Sequence, residues 1–187
     1  MRRRNDKGGR GGILQGNLIG AMLIAAISGS LQTRSANTAL VDVASLVAPS
    51  DVVVERFPAL EAIAAFNPDR EDDAPAPVSE LRALLERADG VLIATPEYAF
   101  GVPGALKNAF DWMVGSGHFY EKRVAILSAA PSVERGVHAR SDVERTLGAQ
   151  GAVIVHSATI ATRAQVADAV DEDARAAVAA AVAALSR

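Results

Sequence analysis

The sequence predicts one α/β domain, a five-stranded parallel sheet packed between two layers of helices. Three observations predict it. Half of the 187 residues are apolar, Ala and Val dominate, and aromatic residues make up only 4%. That composition suits strands covered on both faces. Runs such as Gly90–Thr95 are apolar throughout, with no period-2 alternation, as buried parallel strands are. These runs alternate with segments of helical periodicity, giving the order βαβαβαβαβα, and right-handed crossovers then place helices on both faces.

Each element has its own signal. Met22–Ile27 is a continuous apolar run ended by Ser28-Gly29-Ser30. Asn37–Val47 reads as a helix, with Leu40, Val43, Ala44 and Val47 on one face. The Val-rich Asp51–Phe57 is the second strand, and the polar, Pro-rich 67–77 segment is a loop. Ser79–Ala88 is a helix carrying Leu81, Leu84 and Leu85. Gly90–Thr95 is the third and central strand. A loop over 96–103 leads to a helix at Gly104–Val114, whose Leu106, Phe110 and Met113 stripe belongs to the core. Trp112 beside it suits core or interface. Arg123–Leu127 is the fourth strand, 128–136 a loop, and the next helix runs to about Leu147. Ala152–Val155 begins the fifth strand, and Asp171–Leu185 is an Ala-rich helix.

Composition also excludes functions. There is no cysteine, so disulfides, thiolate nucleophiles and Fe–S ligation are ruled out. His118, His138 and His156 stand far apart, outside any metal-ligand spacing, and read as surface or loop residues; no metal site is expected. The net charge is −3, but Arg2, Arg3, Arg4, Lys7 and Arg10 against Asp6 make the first ten residues +4. The body is therefore −7, which argues against nucleic acid as a partner. Residues 1–21 are expected to be a disordered extension or a start assigned too early, with Met22 the true start. An export signal or a nucleic-acid-binding arm are the alternatives, and the apolar run is too short to span a membrane. Residues 22–187 form the domain, and the expected location is the cytoplasm.

Ligands of such sheets bind outside the carboxyl ends of the strands. Three loops leave those ends. The first, Ser28-Gly29-Ser30-Leu31-Gln32-Thr33-Arg34-Ser35-Ala36-Asn37, joins a strand to a helix N-terminus, a natural anion site. Its hydroxyls add neutral donors, Arg34 can add a cation, and Asn37 or Ser35 can cap the helix. An ordinary capped turn is the plainer reading. The loop contains neither G-x-G-x-x-G nor a Walker pattern. The third loop, Ser128-Ala129-Ala130-Pro131-Ser132 up to Gly136, is small-residue rich and permits close backbone approach.

The second loop carries the strongest signal: Thr95-Pro96-Glu97-Tyr98-Ala99-Phe100-Gly101-Val102-Pro103-Gly104-Ala105-Leu106-Lys107-Asn108-Ala109-Phe110-Asp111-Trp112. It closely resembles the TPEYNGSxPGxLKNxxDW segment of the NADPH-dependent FMN reductase family. The first loop resembles that family's GSLRxxSxN phosphate loop, in the same order and strand context. The resemblance implies a flavodoxin-like fold with strand order 2-1-3-4-5, FMN as cofactor, and NADPH or NADH as reductant. It implies a flavin, quinone or similar small-molecule electron acceptor, and a homodimer or homotetramer for which Tyr98, Phe100 and Trp112 offer aromatic anchors.

The implied cofactor-binding residues are Ser28, Ser30, Gln32, Arg34, Ser35 and Asn37 at the phosphate. Pro96, Glu97, Tyr98, Ala99, Phe100, Ser128, Ala129 and Gly136 would face the ring. Backbone N–H groups near Glu97, Tyr98 and Ala99 would be donors to it. Tyr98 lines the ring edge or makes a subunit contact, and Glu97 pairs with Lys107 or faces solvent. No side chain is named as catalytic, because flavin chemistry needs positioning more than proton transfer. The chain departs from the pattern in three places. Gln32 stands for the phosphate-loop Arg, with Arg34 as a substitute. Ala99-Phe100 stands for Asn-Gly, and His138 for the Arg of G-x-R-A. A non-enzymatic FMN electron carrier and a flavin-free interaction protein are the competing functions.

Overall fold

The computed structural model describes residues 20–162 and 170–187. Five strands, β1 (Met22–Ser28), β2 (Val52–Arg56), β3 (Gly90–Ala94), β4 (Arg123–Ala130) and β5 (Val153–Ala161), form one parallel sheet. Their order is β2-β1-β3-β4-β5, the flavodoxin-like order. Five helices connect and follow them: α1 (Ala36–Val47), α2 (Ala76–Arg87), α3 (Gly104–Asp111), α4 (Val137–Ala149) and α5 (Glu172–Leu185).

Alternation along the strands splits the core in two. Ala25, Ile27, Val91, Ile93, Val124 and Ile126 pack with Leu81, Leu85, Leu106, Phe110, Val143 and Leu147, so α2, α3 and α4 cover one face. Ile24, Ala26, Leu92, Ala94, Ala125 and Leu127 pack with Leu40, Val43, Val178 and Val182, so α1 and α5 cover the other. Since each central strand is buried on both sides, its sequence reads as an uninterrupted apolar run.

Several boundaries shift. Pro75 and Pro77 mark a helix start, where a missing N–H is harmless, so α2 begins at Ala76 inside the expected loop. The loop also holds a short 3₁₀ turn, Pro68–Arg70. Helix α3 ends at Asp111, before the expected Val114. Strand β4 runs on to Ala130, so Ser128 and Ala129 belong to a strand and not to a loop. Trp112 is fully buried, donates from Nε1 to Ala64 O at 2.8 Å and meets Phe66 edge-on. It is a core residue and offers no subunit anchor. His156 lies within β5, where burial and the nearby Arg140 hold its imidazole below the usual histidine value. The basic segment falls outside the described residues, apart from positions 20 and 21. No described helix is long and apolar enough to cross a membrane.

Candidate functional site

A cleft of about 580 Å³ opens at the carboxyl ends of β1, β3 and β4, a volume typical of small-ligand sites. The three loops line it, and the two ends differ in chemistry.

One end is the turn from β1 into α1. Ser35 caps the helix, its Oγ accepting from Thr38 N at 3.5 Å, while Ala39 N donates to Ser35 O. The N–H groups of Ala36 and Asn37 precede that ladder, as the first groups of any helix do. Ser28 Oγ bonds Thr38 Oγ1 at 2.8 Å and accepts from Ser30 N; Ser30 Oγ accepts from Gln32 N. A hydroxyl that accepts still has its proton to donate. Ser30, Gln32, Ser35, Ala36 and Asn37 line the cleft; Ser28 and Arg34 do not. Gly29 lets the turn pass close to α3, because a Cβ there would sit 2.7 Å from Leu106 Cδ2.

Asn37 does not cap the helix. It lies in the first turn of α1, buried, and its amide bonds both backbone groups of Ala129: Oδ1 accepts from Ala129 N at 2.9 Å and Nδ2 donates to Ala129 O at 3.3 Å. The reason is topological. Strand β3 finishes at Ala94 while β4 continues to Ala130. The side-chain amide takes the place of the missing neighbour and satisfies backbone groups that burial would otherwise orphan.

The other end is built on the second loop. Tyr98 N donates to Gly101 O at 3.1 Å and Gly101 N to Tyr98 O at 3.0 Å, closing a two-residue hairpin. Ala99 and Phe100 sit at φ 50 and 61, the left-handed pair that a type I′ turn demands and that Asn-Gly usually supplies. A side chain there costs about 1–2 kcal/mol per residue. The Tyr98 N–H is engaged in the hairpin and is no donor to a ligand. That leaves Glu97 and Ala99 of the three expected.

Glu97 does not pair with Lys107, whose ammonium bonds Asp111 one helical turn away at 2.6 Å. Glu97 Oε2 instead accepts from His138 N at 2.9 Å and Ala139 N at 3.2 Å, capping α4 from another loop. The helix has no side-chain cap of its own, since its N-cap is Gly136. An anion at that positive helix end is well placed. The Phe100 ring meets the His138 ring edge-on, centroids 5.3 Å apart. The hairpin is thus strapped to α4 at two points.

The end of β4 and the loop after it complete the cleft through Ala129, Ala130, Pro131, Arg135 and Gly136, with Thr162 following β5. Gly136 has φ 85, and a Cβ there would lie 2.4 Å from Ser128 Oγ. That hydroxyl is buried without a partner and outside the cleft lining. Ala36, Ala130, Pro131 and Arg135 lie in loops that the sequence singles out but are not among the contacts expected from it, and Thr162 lies outside those loops. Arg135, beside Gly136 in a loop already singled out, carried a usable signal; Thr162 carried none.

The NADPH-dependent FMN reductase family profile matches residues 22–167. The chain belongs to that family. Among curated relatives, the quinone reductase of Escherichia coli is 37% identical over 92 residues, 48% of this chain and 49% of that protein. The 2-hydroxy-1,4-benzoquinone reductase of a Burkholderia species is likewise 37% identical over 92 residues, 49% of this chain and 50% of that protein. A Pseudomonas putida quinone reductase is 32% identical over 130 residues, 66% and 68% of the two chains. The chain thus spans about half the length of the first two relatives. The flavoenzyme FerB of Paracoccus denitrificans, an NAD(P)H:(acceptor) oxidoreductase, shares the fold: TM-score 0.71, 24% identity, 89% of this chain and 98% of that one.

Proposed function

We propose that the chain binds FMN in this cleft and works as an NAD(P)H-dependent reductase of quinones or similar flat acceptors. The observation that carries the reading is the two-ended cleft. Hydroxyls and a helix N-terminus stand at one end, and small residues with a preformed hairpin at the other. A phosphorylated, flat heterocycle needs that division. FMN there supplies two-electron chemistry, for the net reaction NAD(P)H + H⁺ + quinone → NAD(P)⁺ + hydroquinone.

The residues do the positioning. Ser30, Ser35 and the first N–H groups of α1 hold the phosphate. Pro96 and the hairpin backbone at Glu97 and Ala99 bound the ring on one side, and Ala129 and Gly136 keep backbone close to it. Ser28 acts behind the lining by bonding Thr38 and Ser30, Asn37 fixes the wall from the lining by holding Ala129, and Ser128 packs behind Gly136. Arg135 on the lining and Arg34, two residues from Gln32 and outside the lining, are the cations that would stand in for the family arginine replaced by Gln32. The proposed enzyme is a cytoplasmic homodimer or homotetramer, which light scattering would check.

The test is titration of FMN with the purified protein, followed by NADPH or NADH oxidation with a quinone. Stoichiometric quenching at micromolar protein and quinone-dependent turnover are expected. Quenching without turnover would mean a carrier, and no quenching would defeat the reading. Arg34→Ala should weaken FMN about tenfold and riboflavin far less, because a charge-assisted bond acts on the phosphate alone. Equal losses would assign Arg34 to folding of the loop.

A further inference from the structure

We propose that Phe100 is an acceptor-selecting wall, which favours fused-ring quinones over small hydrophilic acceptors; this rests on FMN occupying the cleft.

Three observations converge on it. Phe100 holds a left-handed backbone that glycine would take freely. Its ring is 75% exposed, so little core burial offsets that strain. The same ring lines the cleft. Strain that persists where the fold gains little marks a place where the gain comes with a ligand. Phe100 is also held in position. Its edge-on partner His138 stands on the first turn of α4, and Glu97 pins that turn to the loop carrying Phe100. A ring fixed before binding loses little freedom when a flat molecule stacks on it.

The chemistry of the wall names the class. Beside Phe100 stands Tyr98, 55% exposed, and the carboxylate of Glu97 is already engaged by α4. The two large side chains that the hairpin presents to the cleft are therefore aromatic, with the small Ala99 between them. Such a wall attracts extended conjugated surfaces and offers nothing to a hydrated inorganic anion. A two-ring quinone presents more stacking area than a one-ring quinone, and hexacyanoferrate(III) presents none.

The experiment compares Phe100→Gly and Phe100→Tyr with the unaltered FMN-loaded protein. First, the Kd of 2-methyl-1,4-naphthoquinone for the oxidised protein is measured by difference spectroscopy without reductant. Second, KM is measured for that quinone and for hexacyanoferrate(III). The FMN Kd is measured in parallel by fluorescence quenching. In Phe100→Gly the naphthoquinone Kd and KM should rise about tenfold relative to the hexacyanoferrate(III) KM. Tyr should restore most of the preference, and the Gly variant should melt several degrees higher as the turn relaxes. Equal changes for both acceptors would overturn the proposal. A naphthoquinone Kd that stays put would also overturn it, and an FMN Kd that rises tenfold would make Phe100 a flavin wall instead. Failure of the unaltered protein to bind FMN would defeat the functional reading itself.

Discussion

The two ends of the cleft are held by different means. The hydroxyls of the β1–α1 turn work locally: Ser28, Ser30 and Ser35 bond atoms no more than ten residues away, while Gly29 and Asn37 tie the turn to β3 and β4. The hairpin at 98–101 closes on itself at a strained turn and depends on distant partners, His138 and Ala139, 41 and 42 residues away. A cleft whose hydroxyl end is mostly locally encoded and whose hairpin end is tertiary can vary the second without losing the first. The departures fit that division. Gln32 leaves the turn intact, while Ala99-Phe100 keeps the hairpin shape at a cost in strain.

Asn37→Ala tests the long-range side-chain contact at the local end. It should cost about 2–3 kcal/mol, since both backbone groups of Ala129 lose their partner in a partly buried setting. Thermal melting should fall by about 5–10 °C. A drop no larger than that of an exposed Ala substitution would erase the contrast between the two ends. Glu97→Gln removes the charge from the α4 cap and keeps the shape. A loss of about 1 kcal/mol is expected, with the hairpin amides exchanging faster by hydrogen exchange and those of the β1–α1 turn unaffected. Equal acceleration at both ends would mean that they are one unit. Ala99→Gly should stabilise the protein by up to about 1 kcal/mol, because it relieves the left-handed φ. A lower melting temperature would show that the Ala99 side chain has a contact worth more than its strain.

The fold was legible because each strand and helix carries its own period. Buried strands such as Gly90–Ala94 announce themselves by lacking alternation. Ends were less legible. The extension of β4 through Ser128-Ala129-Ala130 follows from pairing with β5, Ala129 opposite Ile160, which no local pattern records. The cleft was largely legible as three loops, and most of its lining lies in them. The roles within it were not. Glu97 and Lys107 are opposite charges in one segment, so a mutual pair was the natural reading, but the amide groups of α4 lie closer to Glu97 in space. Asn37 looks like a cap because caps are local, and its actual partner is 92 residues away. Trp112 shares the rim motif in sequence, yet the α3 stripe turns it into the core.

That same bond orders events during synthesis. Asn37 emerges early, and Ala129 leaves the ribosome only after three of the five strands are complete. Until then the first loop has its hydroxyl turns but no anchor on the sheet beyond β3. Chains released short of β4 would carry an anion turn without a finished cleft. Contacts of such separation are the slow ones to form, so FMN should act late, on a nearly complete fold, and not as a template for its early steps. Pulse-labelled chains halted at successive lengths, probed for retention of FMN, should show binding appear only once the residues through Gly136 are free of the tunnel.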